Sequence, residues 1–215
     1  MKRLFVPTSG IDDWRRLLAD PTRHWVQGRS ALELAAAWEL VSSTPRGLPS
    51  EVAQLLDSHP GFQDATLLFA VPEHQVEFEG GGHASQNDLW ALLRAPVGLV
   101  SLTVEAKAGE AFGPTIEEWL ADAVPTSGKP ARLRQLKALL GITQDIPGSV
   151  RYQLLHRTAS AIREAKRFGA STAFMLVQSF APDPDSEAAF DTFCALLRCD
   201  ARRPSVIEGP VLGGI

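Results

Sequence analysis

The sequence is poor in cysteine: Cys194 and Cys199 are the only two in 215 residues. That excludes a disulfide-stapled secreted scaffold, and with no metal-type spacing around the pair, a reducing cytoplasm is the expected compartment. The opening residues, Met1-Lys-Arg-Leu-Phe-Val-Pro7, lack the apolar stretch of a secretory signal. No apolar run reaches the length of a membrane span, so no membrane partner is expected. A surplus of positive charge is also missing. Acidic residues (25) outnumber basic ones (21) and the net charge is −4, which argues against a surface coated for indiscriminate nucleic-acid binding. The histidines His24, His59, His74, His83 and His156 form no His-x-x-x-His pair of the zinc type. Gly80-Gly-Gly82 leads into no Gly-Lys-Ser/Thr run, so it reads as a turn and not as a nucleotide P-loop.

What remains is an ordinary globular balance, 45 % hydrophobic and 21 % charged, in a length that suits one well-buried domain. Residues 10–43 read as helical. In that stretch Ser30 and Glu33 have capping-box spacing, and Glu39 either faces solvent or reaches a neighbouring site. A further short helix is expected over Glu51–Leu56. A β part begins at Ala65–Val71, is interrupted at Pro72 and resumes over Gln75–Glu79 with period-two alternation.

The richest stretch is Leu99–Glu110. On a strand, Thr103, Glu105 and Lys107 share one face while Leu102, Val104 and Ala106 share the other, with Glu105 and Lys107 roughly 7 Å apart along the strand. Charges in so apolar a strand are costly unless paired or bound to an ion. Ala95-Pro96-Val97-Gly98 fits a type I turn. A hairpin closed there pairs symmetrically about the Pro96–Val97 bond and sets Asp88 opposite Glu105, on one face. Two such carboxylates repel unless a cation separates them or one holds a proton. A cross-strand salt-bridge cluster with Lys107 and a hard divalent cation both meet that need.

Downstream, Phe112–Leu120 reads as a helix opened near Pro114, and Ala131–Leu140 as a basic helix ended by Gly141. Val150–Phe168 carries the strongest helical periodicity. Leu154, Thr158, Ala161, Ile162 and Ala165 form its apolar stripe, beside a polar line of Gln153, Arg157, Ser160 and Glu164 that His156 borders. Between Lys129 and Phe168 nine basic residues face two acidic ones, a pattern of either a solvated helix face or a phosphate-facing surface. Ser171–Phe180 reads as a strand buried on both faces, Glu187–Leu197 as a helix with Phe190, Phe193 and Cys194 in the core, and Pro204–Glu208 as a short edge strand before a frayed Gly213-Gly-Ile215 tail. The order of elements predicts an α/β fold with a mixed central sheet flanked by helices.

Asp88, then Glu105-Ala-Lys107 at a strand end, then a helix carrying Gln153, resembles the pattern of the PD-(D/E)XK, or restriction-endonuclease-like, nuclease superfamily. The longer runs from Ser85, Val104 and Arg151 also resemble a family of uncharacterised bacterial proteins within it. Asn87 stands where the pattern has proline. The resemblance implies a single domain over residues 1–215: a helical part to residue 62, a nuclease-like core over 63–181, then a C-terminal helix and tail. It implies hydrolysis of a phosphodiester bond in nucleic acid, with Asp88 and Glu105 holding Mg²⁺ or Mn²⁺ and Lys107 orienting the attacking water. Gln153 would be the auxiliary residue, with Arg157, His156 and Glu39 as accessories, and a homodimer as one assembly. The competing expectation is a module that keeps such a fold and binds nucleic acid or protein without cutting.

Overall fold

The computed structural model describes residues 8–124, 126–200 and 205–209. A 3-10 helix (Ile11–Leu17) and helices α1 (Pro21–His24), α2 (Ser30–Glu39) and α3 (Ser50–Asp57) lead into an antiparallel meander of β1 (Thr66–Val76), β2 (Ser85–Ala95) and β3 (Gly98–Lys107). Helices α4 (Ile116–Leu120), α5 (Lys129–Leu139) and α6 (Tyr152–Phe168) follow. Strand β4 (Thr172–Ser179) then returns parallel to β3, and α7 (Pro184–Leu196) comes last. The strand order β1-β2-β3-β4, two antiparallel pairs and one parallel, makes the sheet mixed and the fold α/β.

Strand alternation sorts the layers. Leu89, Ala91 and Leu93 of β2 and Val100, Leu102, Val104 and Ala106 of β3 turn to one face, where they bury Leu34, Ala35 and Trp38 of α2 with Val52 and Leu56 of α3. On the other face α6 lies over the sheet, and its Leu154, Leu155, Ala159 and Ile162 pack with Leu136, Leu140 and Phe193. Leu102 and Leu154 are almost wholly buried, and truncating either to alanine would cost about 2–5 kcal/mol. Helix α6 ends at Gly169, whose φ of 64° is the left-handed conformation that terminates helices.

Several local expectations change. Pro72 does not interrupt β1, which runs unbroken to Val76. It is an edge strand, where half of the N–H groups have no strand to bond and a proline is tolerated. Glu77–Glu79 lie beyond its end. Strand β4 is half-buried except for buried Leu176 and exposed Ser179, because it too is an edge, bonded to β3 alone. Its apolar residues still serve both layers, with Phe174 and Leu176 in one and Ala173, Met175 and Val177 in the other. The strands most deeply buried are the central β2 and β3.

Ser30 is the first residue of α2 and not its cap, so no capping box forms; Glu33 instead accepts the Gly28 N–H at 3.0 Å. The capping box belongs to α4, where Thr115 and Glu118 satisfy each other's amides. Residues 205–208 form no strand. Met1–Pro7, Pro204 and Gly213–Ile215 lie outside the described residues. Among the described residues no helix is long and apolar enough to cross a membrane.

Candidate active site

The β2–β3 hairpin sets the site. Ala95 pairs with Gly98 across the two-residue turn, and the ladder continues without a bulge to Leu89 opposite Val104. Continued one step beyond the paired residues, this register sets Asp88 opposite Glu105. Gly98 has a φ of 108°, which a residue with a side chain rarely adopts. On the outer side, Pro72 pairs with Leu89 and His74 with Asn87, so Glu73 falls opposite Asp88. Three carboxyl groups therefore stand in a row across three strands.

Glu73 is the member that sequence reasoning missed. It follows Pro72 in β1, and it adopts a positive φ of 52° inside a strand. Such strain in a half-buried acid is a recognised mark of functional positions, but it is visible only in three dimensions. Its carboxylate accepts the Gln86 amide at 2.7 Å.

The polar line of α6 faces this row, and each member bonds to the sheet. Arg157 Nε donates to Glu105 Oε2 at 2.6 Å, and its Nη2 stands 3.7 Å from Asp88 Oδ1. Gln153 Nε2 donates to Glu105 Oε1 at 2.5 Å, while Gln153 Oε1 accepts the Gly113 N–H at 3.0 Å and Lys107 Nζ at 3.3 Å. Lys107 Nζ also donates to Glu105 Oε1, at 2.6 Å. Asp88 Oδ2 accepts the Ala106 N–H at 2.8 Å. Further along the helix, Ser160 donates to Ser85 Oγ at 3.1 Å, and Glu164 stands 3.2 Å from His74 Nε2. The basic excess between Lys129 and Phe168 is therefore no single solvated face, since Arg157 and Arg132 are buried.

Burial and charge divide the acids. Burial pushes Glu105 up, but the charges of Arg157 and Lys107 outweigh it and hold the carboxyl below its usual range. Asp88 is raised to about 7, first by burial and then by Glu105. Glu73 is raised to about 8 by burial and by Asp88. Arg157 loses by burial and gains more from Glu105 and Asp88, so its charge is secured. The cluster holds three acids against two cations, and it accommodates them by keeping Glu73, and in part Asp88, protonated near neutral pH.

Asp88, Glu105, Lys107, Gln153 and Arg157 are thus brought together from β2, β3 and α6. Glu39 is not among them. Its carboxylate accepts the Trp14 indole N–H at 2.9 Å and the Thr8 hydroxyl at 3.0 Å, so it fastens the 3-10 helix to α2. His156 borders the cluster without entering it. Ser85 Oγ accepts from Arg157 Nη1 at 3.3 Å and stands 2.6 Å from His156 Nδ1. Burial, then Arg157 and Arg132, hold this imidazole well below its usual pKa, and it is neutral at physiological pH.

The fold and the cluster define a mixed α/β domain with a buried acid–base site on one sheet face. The chain belongs to the family described as "Domain of unknown function (DUF6946)", whose profile matches residues 7–215. Among curated proteins and among solved structures, nothing matches the chain.

Proposed function

We propose that this protein is a metal-dependent phosphodiester hydrolase acting on nucleic acid, of the PD-(D/E)XK type. The observation that carries the reading is the convergence of Asp88, Glu105, Lys107 and Gln153, drawn from two strands and a helix, at one end of the β2–β3 hairpin.

The residues suit a divalent cation by their donor chemistry. Among the described residues no three of His, Cys, Asp and Glu form a ready-made metal site, and Arg157 reaches both Asp88 and Glu105. Yet the three acids outnumber the cations. Asp88 keeps a partly exposed side chain, and Oδ1 has Arg157 beside it only at ion-pair distance. Glu105 Oε2 receives one bond and retains a lone pair. Asp88 and Glu105, with Glu73 beside them, would hold Mg²⁺ or Mn²⁺ through hard oxygen donors. Such an ion polarises a phosphate and makes water more acidic.

The chain's own residues supply the rest. Lys107, fixed between Glu105 and Gln153, is placed to orient a water and to balance charge on a phosphate. Gln153 holds Lys107 and Glu105 in register. Arg157 neutralises the acids in the free protein and is the second cation available to the phosphate.

The test is cleavage of single- and double-stranded DNA and RNA by purified protein with Mg²⁺ or Mn²⁺. Activity that falls at least about 100-fold in Lys107→Ala and in Glu105→Gln, with melting still cooperative, is the expected result. No cleavage of any substrate with either ion overturns the proposal. One observation favours the second reading, a module that binds without cutting: Glu105 is already bonded by Lys107, Gln153 and Arg157. Nucleic-acid binding that survives Lys107→Ala, with no metal uptake by calorimetry, would decide for it.

A further inference from the structure

The two cysteines stand at the end of α7, and the way that helix terminates brings them together. Its last turn closes with two main-chain bonds. The Arg198 N–H donates to Ala195 O at 3.0 Å, and the Cys199 N–H donates to Cys194 O at 2.9 Å. Arg198 takes a left-handed φ of 59°, a conformation that glycine usually supplies. Together these make a Schellman ending, in which the left-handed residue turns the chain back over the helix it has just left.

In such an ending the third residue before the cap and the second residue after it bring their side chains into contact. The cap is Leu197, so those two positions are Cys194 and Cys199. Residues joined by a main-chain bond stand roughly 5–6 Å apart at Cα, within the ~4.4–6.8 Å that a disulfide spans. Both are reduced thiols, Cys194 buried and Cys199 half-buried. Both line one cavity of about 670 Å³ between α7, β4 and residues 205–209. With no other cysteine in the chain, neither has an alternative intramolecular disulfide partner.

The Cys199 thiol has a second task in the reduced chain. It donates to Glu208 O at 3.3 Å, while the Glu208 carboxylate meets His59 Nε2 at 2.9 Å. Residues 205–209 are thereby fastened beside the cavity, where Val206 packs on the core. A sulfur in a disulfide carries no proton, so Cys199 can hold Glu208 or bond to Cys194, but not both.

We propose that Cys194 and Cys199 form a dithiol–disulfide switch, in which oxidation links the two sulfurs across the end of α7 and releases the Cys199 bond to residues 205–209. The oxidant is a peroxide. The Cys199 sulfur attacks one of its oxygens, the O–O bond breaks, and a sulfenic acid and one water are left. The Cys194 sulfur then attacks the Cys199 sulfur, the S–O bond breaks, and the hydroxyl leaves with the Cys194 proton as a second water. Two electrons pass from the sulfurs to the peroxide. Burial holds the Cys199 thiol above its usual pKa, so the first step quickens as the pH rises. Contact between the two side chains speeds the second. Neither thiol belongs to the carboxylate cluster, and the switch does not depend on the proposed hydrolysis.

To test this, the full chain is treated with hydrogen peroxide, its remaining thiols are alkylated, and it is digested with trypsin. Cleavage after Arg167, Arg198 and Arg202 separates residues 168–198 from residues 199–202. An intrachain disulfide therefore appears as these two peptides linked, with no linked dimer on a gel run without reductant. The link should be absent before oxidation, disappear on reduction, and form in neither Cys194→Ser nor Cys199→Ser. Amide exchange over residues 205–209 should quicken about two- to fivefold in the oxidised chain, as expected for the loss of one hydrogen bond. The proposal is overturned if both thiols are still alkylated after peroxide, if each cysteine is oxidised separately to a sulfinic acid, or if the links run between chains. Unchanged exchange over residues 205–209 once the disulfide is in place overturns it as well.

Discussion

His156 and Arg157 are neighbours in the sequence, yet they serve opposite polar regions. Arg157 enters a cluster of three acids in which Glu105 accepts three bonds and nearly every charge has a partner. His156 borders a cavity free of carboxylates, where a buried guanidinium N–H and a buried hydroxyl have none. Ser85 joins the two, accepting from Arg157 and hydrogen-bonded to His156 Nδ1. The contrast shows two states of buried polar groups. In the first region internal partners hold each charge in place; in the second two buried groups go unpaired.

Removing Arg157 should break this arrangement most severely. Arg157→Ala leaves buried Glu105, and Asp88 beside it, with one cation fewer, and urea denaturation should show a loss of about 3–5 kcal/mol. A loss below about 1 kcal/mol would mean that the acids are not held by this guanidinium. Gly128→Ala should act on the other region alone. Its Cβ clashes with the Gly80 backbone, so stability should fall by about 2 kcal/mol. Mg²⁺ uptake at Asp88 should be kept, and its loss would show that the two regions act as one unit.

Asp88→Asn tests the crowding of the acids. At pH 8 it removes a partly exposed carboxylate from beside Glu105 and Glu73 and should raise stability by about 1 kcal/mol, or ~2–4 °C in melting temperature. The same change should abolish Mg²⁺ binding.

The pH dependence follows from the raised acids. Asp88 and Glu73 titrate near 7 and 8 in the folded chain, but near about 4 when unfolded. The folded state therefore keeps protons that the unfolded state has released. Their contribution to stability is complete below about pH 4 and is lost as the pH rises through 7 to 8. In the proposed metal-dependent reading Mg²⁺ competes with those protons, so the rise in melting temperature that it causes should be larger at pH 8 than at pH 5.5. Equal shifts at both values would remove Asp88 and Glu73 from the metal site. The smallest effect expected is that of Ser127→Ala on stability, within about 0.5 kcal/mol.

The hairpin register was determined by the sequence alone. A two-residue turn at Pro96–Val97 fixes each cross-strand pair by counting, and strand alternation then assigns Glu105 and Lys107 to one face. The strong period of α6 likewise gave its polar line, because helical spacing is a local property. Tertiary structure alone decided which partners those faces meet. Docking of β1 brought Glu73 into the row, at a backbone angle that no pattern announces. Packing of the N-terminal helices gave Glu39 to Trp14 and Thr8. The edge position of β4 left half-buried a strand whose composition reads as buried. The cavity beside His156 joins residues 80–85, 119, 127–132 and 152–156. These segments meet only because the sheet and α6 fold over one another, and contacts so distant in sequence leave no local period to read.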